Sequence, residues 1–419
     1  MPARSSTLLS VADARAAVLA EVRGAVPAEP VPLANALGRV LAEDASAPED
    51  VPGFDNSAMD GFAVRAVDTA GATPEAPGEL RLVGESRAGT PADVALGPGQ
   101  AFRISTGAVV PEGADAVVRV EDTSLADATV RVEVEVEPGR DYRRAGDDIR
   151  AGDLVIRKGA VLGAAELGVL TSVGVGEPVC ARRPRLAVVC TGDELLAPDE
   201  PMRPGGVRNS NAHTLPALAA LAGAEIVSVE RCVDDRDATL AATERALQAD
   251  IAVFSGGVSV GVHDHVKDAF AALGIEERFW GVALRPGKPT WFGVHASGPM
   301  AGGALAFGLP GNPVSAFVTF TLFVRPAIRA LTGADVDLDS TEAILATDLP
   351  RMANRDQAVR CALELTSDGW LAHTTGPQGS HVLTSMLGAD ALAVIEAGPE
   401  PATAGTRVRV QLLRVASGA

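Results

Sequence analysis

A glycine-rich turn suited to a phosphate group follows one short apolar segment of the chain. The segment reads Phe254-Ser-Gly-Gly-Val-Ser-Val-Gly-Val-His-Asp264. Backbone amides at the start of a helix bind phosphate, and the helix dipole contributes about 0.3–1 kcal/mol. A tight strand-to-helix turn capped by Asp264 is the alternative interpretation. Because Gly256, Gly257 and Gly261 exceed what one turn requires, the segment predicts a phosphate site.

A second turn carries two carboxylates directly after an apolar segment, Leu186-Ala-Val-Val-Cys-Thr-Gly-Asp-Glu-Leu195. Asp193 is expected to cap a following helix through its side-chain oxygen. Glu194 is then free to point at a ligand or to bind a metal ion through oxygen. The turn therefore predicts a carboxylate beside the phosphate site.

A third turn, Gly308-Leu-Pro-Gly-Asn-Pro-Val-Ser315, contains the residues that begin a helix. Asn312 is typical of an N-cap, and Pro313 is typical of the first helical position. Ser315 adds a hydroxyl group in the first turn, where the helix dipole favours anions.

Two cations bracket a proline-glycine turn in Ala283-Leu-Arg-Pro-Gly-Lys-Pro289. The turn is stiff and is expected to hold Arg285 and Lys288 on one side. In a chain of net charge −18, such a pair is a candidate site for an oxyanion. A solvated basic turn is the alternative interpretation.

Two polar motifs lie in a region rich in short strands. In Phe54-Asp-Asn-Ser-Ala-Met-Asp-Gly-Phe-Ala-Val64, an ordinary β-turn explains Asp60 and the glycine after it, but not the three polar residues that precede them. In Arg103-Ile-Ser-Thr-Gly-Ala108, Thr106 follows a predicted strand and is a candidate ligand contact.

Hydrophobic periodicity divides the chain into regions that can hold these motifs. Residues 8–24, 33–44 and 164–173 have helical spacing, whereas residues 80–83, 101–104, 116–120 and 131–137 predict strands. Short, continuous apolar segments at 186–190, 225–229, 251–254 and 304–307 alternate with helical segments, as in a doubly wound α/β sheet. We therefore predict a discontinuous helical domain (residues 1–47 and 149–179), an inserted β-rich domain (48–148), an α/β domain (180–332) and a C-terminal β-barrel or sandwich (333–419).

Composition restricts the classes of partner. The charge of −18 argues against binding to nucleic acid or anionic membranes, which favour clustered lysine and arginine. No apolar segment approaches the roughly 18 residues of a membrane span. The four cysteines are far apart and form no Cys-x-x-Cys pair, which argues against a zinc site and a disulfide framework. We expect a cytoplasmic protein with reduced thiols.

In this order, the motifs resemble those of the molybdopterin molybdenumtransferases, the MoeA family, which is similar to the E domain of gephyrin. The resemblance rests on FDNSAMDG, RISTGA, GDEL, SGGVSVG-x-x-D, RPGKP, GLPGNPVS and TTG-x-QGSH, and covers nearly the whole chain. It implies a molybdopterin-binding α/β domain, a homodimer and an active site completed by the β-rich domain of the other subunit. It also implies that molybdate enters adenylated molybdopterin with release of AMP in the presence of Mg²⁺. A molybdopterin adenylyltransferase is a candidate partner.

The resemblance also implies roles for individual residues. The functional acidic and cross-subunit positions correspond to Asp60, Thr106, Asp148, Glu194, Asp234 and Asp264, of which Glu194 and Asp264 are assigned to Mg²⁺ and the adenylate phosphate. Positions associated with molybdate correspond to Arg285, Lys288, Ser315, Arg360 and Ser380. Further substrate contacts are assigned to Ser255, Gly256, Gly257, Ser259, Pro289, Gly311 and Asn312.

This chain departs from the family pattern at three positions. Gly281 stands where many relatives have lysine, Arg285 where lysine is frequent, and Asn209 where aspartate is common. Two alternative functions remain open at this point. One is an adenylyltransferase-like enzyme that uses the α/β domain alone, and the other is a gephyrin-like scaffold that binds partner peptides.

Overall fold

The computed structural model describes residues 8–258, 265–300 and 302–413. Strands account for much of these residues. In chain order they are β1 (Ala28–Pro30), β2 (Ala45–Ser46), β3 (Asn56–Ser57), β4 (Gly61–Val64), β5 (Gly78–Ser86), β6 (Gln100–Ile104), β7 (Ala116–Arg119), β8 (Thr123–Ala126), β9 (Thr129–Val132), β10 (Tyr142–Arg143), β11 (Leu154–Ile156), β12 (Val179–Ala181), β13 (Arg185–Thr191), β14 (Leu195–Leu196), β15 (Val207–Arg208), β16 (Glu225–Cys232), β17 (Ile251–Ser255), β18 (Glu276–Trp280), β19 (Leu284–Arg285), β20 (Trp291–His295), β21 (Ala304–Leu309), β22 (Ser340–Leu345), β23 (Asp356–Thr366), β24 (Gly369–Thr374), β25 (Ala391–Ile395) and β26 (Arg407–Leu412).

The helices lie mainly in the α/β region. They are α1 (Val11–Ala20), α2 (Ala164–Ser172), α3 (Asn211–Leu221), α4 (Arg236–Ala246), α5 (Val266–Ala272), α6 (Pro313–Thr319) and α7 (Arg325–Thr332), with a π-helical segment (Phe320–Val324) joining α6 to α7. The segment Pro313–Thr332 is long and apolar enough to cross a membrane by length and composition, but 89% of its most apolar window is buried inside the protein. A core helix has the same composition.

The α/β unit is a six-stranded sheet in the order β16-β13-β17-β21-β20-β18. The first four strands are parallel, as expected. β20 and β18 were not predicted; β20 runs antiparallel to both of its neighbours, β21 and β18. Alternate residues of β13 enter different cores. Val188 packs with α1, α3, α6 and α7, whereas Val189 packs with α4 and α5. Helices thus cover both faces, which confirms the doubly wound fold.

The β-rich unit contains a six-stranded sheet in the order β7-β4-β6-β5-β9-β8. The strand predicted over 131–137 is wrong beyond Val132, where β9 ends. The next backbone N–H, of Glu133, donates to Asp122, and that of Val136 donates to the Thr69 hydroxyl group. Val134 and Val136 still pack on the core, so the alternation reflects burial without a strand ladder.

Two short ladders connect this unit to the chain on either side of it. β1 pairs with β12 and β2 pairs with β11, both antiparallel. The helix predicted over 33–44 is wrong, because only Leu33–Asn35 forms one 3-10 turn. Gly38 has a φ of +72°, and its N–H donates to Leu162 across the unit instead of along a helix.

Helix α1 packs differently from the expected arrangement. Ser10 caps it by accepting from the Asp13 N–H, as the sequence predicts. However, Val11, Ala14 and Val18 are buried in the core of the α/β unit, not against α2. The predicted domain boundaries themselves stay a prediction.

The C-terminal region forms a closed barrel. Strands β23, β24, β22, β26 and β25 pair in that order, and β25 pairs back to β23. β19, from the Arg-Pro-Gly-Lys loop, pairs with the edge of β23. The predicted C-terminal β-barrel is confirmed, and it lies beside the loop that carries Arg285.

Candidate active site

A cavity of about 510 Å³ opens where the carboxyl ends of β13, β17 and β21 meet. This edge is where ligands bind in open parallel sheets, and the volume is that of a small-molecule site. The lining residues are Cys190, Thr191, Gly192, Glu194, Leu195, Val207, Arg208, Asn209, Ser210, Asn211, Asp234, Ser255, Gly256, Gly257, Val258, Pro289, Pro310, Gly311, Asn312 and Pro313. The three turns singled out in the sequence therefore share one cavity.

Gly256 and Gly257 are required by the geometry of the glycine-rich turn that follows β17. Their φ angles are +94° and +67°, values that disfavour other residues. A Cβ atom at Gly256 would lie 2.8 Å from the Thr191 carbonyl and hydroxyl oxygens, and one at Gly257 would lie 2.5 Å from Val266. The two glycines thus let β17 turn closely against the end of β13.

Free backbone donors border the cavity at these turns. Within the described residues, the N–H groups of Gly257, Gly311 and Asn312 have no hydrogen-bond partner. Asn312 is the N-cap residue of α6 and Pro313 follows it, as predicted, although the Asn312 side chain makes no capping bond. Unpaired N–H groups at the start of a helix suit an anionic ligand.

A buried asparagine fixes these turns to one another. The Nδ2 of Asn211 donates to the Ser255 hydroxyl at 2.7 Å and to the Gly311 carbonyl at 2.9 Å. Its Oδ1 is buried without a partner, as is the Thr191 hydroxyl. Two residues earlier, Asn209 is also buried, but its Oδ1 accepts the Ala212 N–H at 3.1 Å.

Two carboxylates lie on the cavity wall. Glu194 makes no side-chain hydrogen bond or ion pair within the described residues, whereas Asp234 accepts from the Asp193 N–H at 3.4 Å. The prediction that Asp193 caps a helix is wrong, since the next helix begins at Asn211. Asp193 instead accepts from the Asp234 N–H at 3.1 Å, and this exchange fixes the two loops together.

The thiol of Cys190 is a further feature of the cavity wall. The side chain is 1% exposed, and burial raises its pKa to about 11 despite a hydrogen bond to Asn209. The group is therefore protonated at neutral pH and is a poor nucleophile.

Sequence reasoning missed five polar residues of the cavity as ligand contacts: Thr191, Arg208, Asn209, Ser210 and Asn211. Arg208 ends the two-residue strand β15, and Asn211 is the first residue of α3. They lie near the glycine-rich turn because β14 and β15 pair in parallel. Strands of only two residues cannot be recognised from the sequence.

The five predicted molybdate contacts, all within the described residues, do not line this cavity; of the basic loop, only Pro289 does. Arg285 and Lys288 are exposed, and Ser315 is buried in the first turn of α6. Arg360 is fully buried. It donates to Ser385 and to the carbonyls of Pro377 and Gly379, so it holds the loop that contains Ser380. Its Nη1 is buried without a partner, and burial lowers its pKa.

The predicted residues of the β-rich unit form a separate group. The N–H and hydroxyl of Thr106 both donate to Asp60, at 2.7 and 3.1 Å. Asp148 lies near the base of the unit, where its N–H donates to Val51. None of the three lines the cavity of the same chain. Ser259 and Asp264 lie outside the described residues, so their assignments stay predictions.

The fold and the cavity together define the class of this protein. It is a multi-domain α/β ligand-binding protein with an inserted β unit and a C-terminal five-stranded barrel. Three family profiles match the chain: the MoeA N-terminal region (domain I and II) over residues 9–174, the probable molybdopterin binding domain over 187–330, and the MoeA C-terminal region (domain IV) over 342–413. The chain therefore belongs to the MoeA family.

Individual relatives agree with this membership. Molybdopterin molybdenumtransferase 2 of Mycobacterium tuberculosis is 38% identical over 94% of this chain and 97% of its own. Molybdopterin molybdenumtransferase of Bacillus subtilis is 35% identical over 93% and 90%. The crystal structure of the molybdopterin biosynthesis MoeA protein from Pyrococcus horikoshii OT3 has a TM-score of 0.82 and 29% identity, covering 97% of this chain and all of that one.

Proposed function

We propose that this protein is a molybdopterin molybdenumtransferase, which inserts molybdate into adenylated molybdopterin and releases AMP. The observation that carries the proposal is the cavity at the sheet edge, where the unpaired N–H groups of Gly257, Gly311 and Asn312 suit a phosphate. Family membership and the names of the relatives support the same reaction. They do not favour an adenylyltransferase or a scaffold alone.

Electrostatic repulsion is the main physical obstacle to this reaction. Molybdate is a dianion, and each pair of unit charges about 4 Å apart repels by about 4 kcal/mol at an effective dielectric near 20. The exposed side chains of Arg285 and Lys288 supply two positive charges beside Pro289, which lines the cavity. We propose that they bind molybdate next to the phosphate and so reduce this repulsion.

The cavity wall also fits a magnesium ion. Glu194 and Asp234 offer carboxylate oxygens in one cavity, and neither has an ion-pair partner within the described residues. Oxygen donors of this kind suit Mg²⁺, which usually binds through one or two carboxylates together with substrate phosphates. Bound there, Mg²⁺ would neutralise charge on the phosphate. We propose that Glu194 and Asp234 hold the ion, with Asp264 as the third candidate.

We propose that the β-rich unit of one subunit contributes to the cavity of a second subunit. Asp60 and Thr106 hydrogen-bond to each other on that unit but do not line the cavity of their own chain. A homodimer in which they reach the partner's cavity gives them a role. We further propose a cytoplasmic protein, whose four free cysteines suit a reducing compartment, and transfer of substrate from an adenylyltransferase.

The test is molybdate-dependent AMP release from adenylated molybdopterin with Mg²⁺, coupled to activation of an apo-molybdoenzyme. Glu194→Ala and Lys288→Ala should each reduce the rate by at least tenfold. Their controls are Asp199→Ala, an exposed acid on the loop that follows Glu194, and Lys158→Ala, an exposed lysine far from the cavity. Full activity in Glu194→Ala and Lys288→Ala would refute the site, and ATP use with free molybdopterin would favour the adenylyltransferase.

A further inference from the structure

Within the described part of the chain, the one arginine that lines the cavity forms no ion pair with an acid. Among its lining residues, all of which the structure describes, the charged side chains are Glu194, Asp234 and Arg208. Arg208 is thus the single cation on a wall that otherwise repels anions. The basic loop with Arg285 and Lys288 contributes only Pro289 to this wall. Arg208 is therefore the one lysine or arginine among the described residues that form the cavity wall.

The position of Arg208 is fixed by its own loop. It lies in β15, which pairs in parallel with β14 so that Arg208 stands opposite Leu196. Its Nη1 donates to the carbonyl oxygens of Ala197 and Glu200. A guanidinium group has five N–H donors, so these bonds leave the Nε and Nη2 donors. These make no hydrogen bond within the described part of the chain.

The side chain of Glu200, whose carbonyl oxygen accepts one of these bonds, is bound to other groups. The Glu200 carboxylate pairs with Arg231 at 2.9 Å and accepts the Ala197 N–H at 3.0 Å, so it does not pair with Arg208. The adjacent Asn209 is neutral and caps α3 through the Ala212 N–H. Arg208 therefore presents a fixed, uncompensated edge of a guanidinium group at the cavity. Such an edge matches two phosphate oxygens.

We propose that Arg208 is a substrate-binding residue that donates from Nε and Nη2 to the phosphate of the adenylated substrate. This proposal rests on the proposed function and names the side chain that recognises the phosphate. It also assigns a division of labour among the cations. Arg208 binds the nucleotide phosphate inside the cavity, and the exposed loop of Arg285 and Lys288 binds the incoming oxyanion.

The neighbouring Arg203 provides a matched control. It lies on the same loop and also fixes backbone, because its Nη2 donates to the Asp193 carbonyl. It does not line the cavity. If arginines of this loop act only by holding backbone carbonyl groups, Arg203 and Arg208 substitutions should have similar effects on ligand binding.

The experiment measures the binding of AMP and of adenosine by calorimetry to the full-length protein with Mg²⁺. Arg208→Gln should weaken AMP binding by about 10- to 100-fold, the usual effect of losing a hydrogen bond to a charged group. Adenosine binding should change by less than about twofold, because adenosine lacks the phosphate. Arg203→Gln should leave both within about twofold. Arg208→Lys keeps the charge but loses the fork, so it should weaken AMP binding by less than Arg208→Gln and leave adenosine binding unchanged.

Either of two results would overturn the role of Arg208 and leave the proposed function standing. One is wild-type AMP affinity in Arg208→Gln. The other is an equal loss of AMP and adenosine binding, which indicates a collapsed loop. Should Arg208→Gln fail to fold, Arg208→Lys decides in the same way. Absence of AMP binding by the folded wild-type protein would instead refute the proposed function, and the role of Arg208 with it.

Discussion

Two buried asparagines, Asn209 and Asn211, should lose stability to very different extents on the same isosteric change to aspartate. Asn211 uses its amide as a donor, to Ser255 and to the Gly311 carbonyl at 2.9 Å. Asn209 uses its amide oxygen as an acceptor, for the Ala212 N–H at 3.1 Å. A carboxylate can accept but cannot donate. Asn211→Asp therefore removes the link between two cavity turns, whereas Asn209→Asp keeps the helix cap.

The magnitude follows from the partners that each substitution leaves behind. The Ser255 hydroxyl group can rotate to donate to the new carboxylate, but the Gly311 carbonyl oxygen faces another acceptor. A buried polar group left unpaired costs about 1–3 kcal/mol, and charge burial adds to it. We expect Asn211→Asp to lower the free energy of unfolding by about 2–4 kcal/mol at pH 8, and Asn209→Asp by less than about 1 kcal/mol.

The effect should depend on pH with a definite sign. Burial raises the pKa of the carboxyl group introduced by Asn211→Asp above its unfolded value of about 3.9. When protonated, this group can again donate to Gly311. Its stabilising contribution is therefore fully present below the unfolded pKa and is lost as the pH rises through the raised folded pKa. The destabilisation should be smaller at pH 5 than at pH 8.

Urea unfolding followed by tryptophan fluorescence provides the measurement, because Trp280 and Trp291 both lie in strands of the α/β sheet. The difference in free energy between each variant and the wild type is compared at pH 5 and pH 8. Equal destabilisation by Asn209→Asp and Asn211→Asp, or a pH-independent loss in Asn211→Asp, would refute the argument from donors and acceptors.

Three further outcomes are expected. Gly257→Ala introduces a Cβ at positive φ within 3.0 Å of the Thr191 hydroxyl and should weaken AMP binding at least tenfold in calorimetry, so unchanged affinity would contradict the close turn. Tyr142 is the only tyrosine of the chain, and burial together with its 2.6 Å bond to Asp55 raises its pKa to about 12. Tyrosinate absorbance should therefore titrate above pH 11, and at a lower pH in Asp55→Asn; stability from this bond is present below pH 10 and lost as the pH rises through 12. The four cysteines are all buried, and burial raises each thiol pKa, so Ellman's reagent at pH 8 should label none in the native protein and four in denaturant.

Much of the fold could be predicted because its elements carry strong local signals. Continuous apolar segments such as Ile251–Ser255 are fully buried, and sequence reasoning placed them in a sheet covered on both faces. Asn312 and Pro313 begin α6 as their residue types indicate. The positive φ angles of Gly256 and Gly257 and the nearby Thr191 require glycine for the tight turn itself, so the phosphate site at this turn stays a prediction.

The failures arise where tertiary contacts override local patterns. Residues 33–44 have helical spacing, but their backbone donors reach across to carbonyls such as that of Leu162. Arg208 ends the two-residue strand β15 and Asn211 is the first residue of α3, and positions at the ends of elements carry no periodicity that would mark them as cavity residues. Arg360 was assigned to molybdate, but its burial beneath the loop near Pro377 can be seen only in three dimensions.

The ladder of β2 with β11 also bears on how such a chain can evolve. Ser46 and Leu154 are register partners, so the inserted unit leaves and rejoins the chain at neighbouring points, about 5 Å apart. Recombination that gained or lost the intervening gene segment would leave two ends that a short turn can join. Asp60 and Thr106 both lie between these two points, so one such event would gain or lose them together and leave the residues that line the cavity in place.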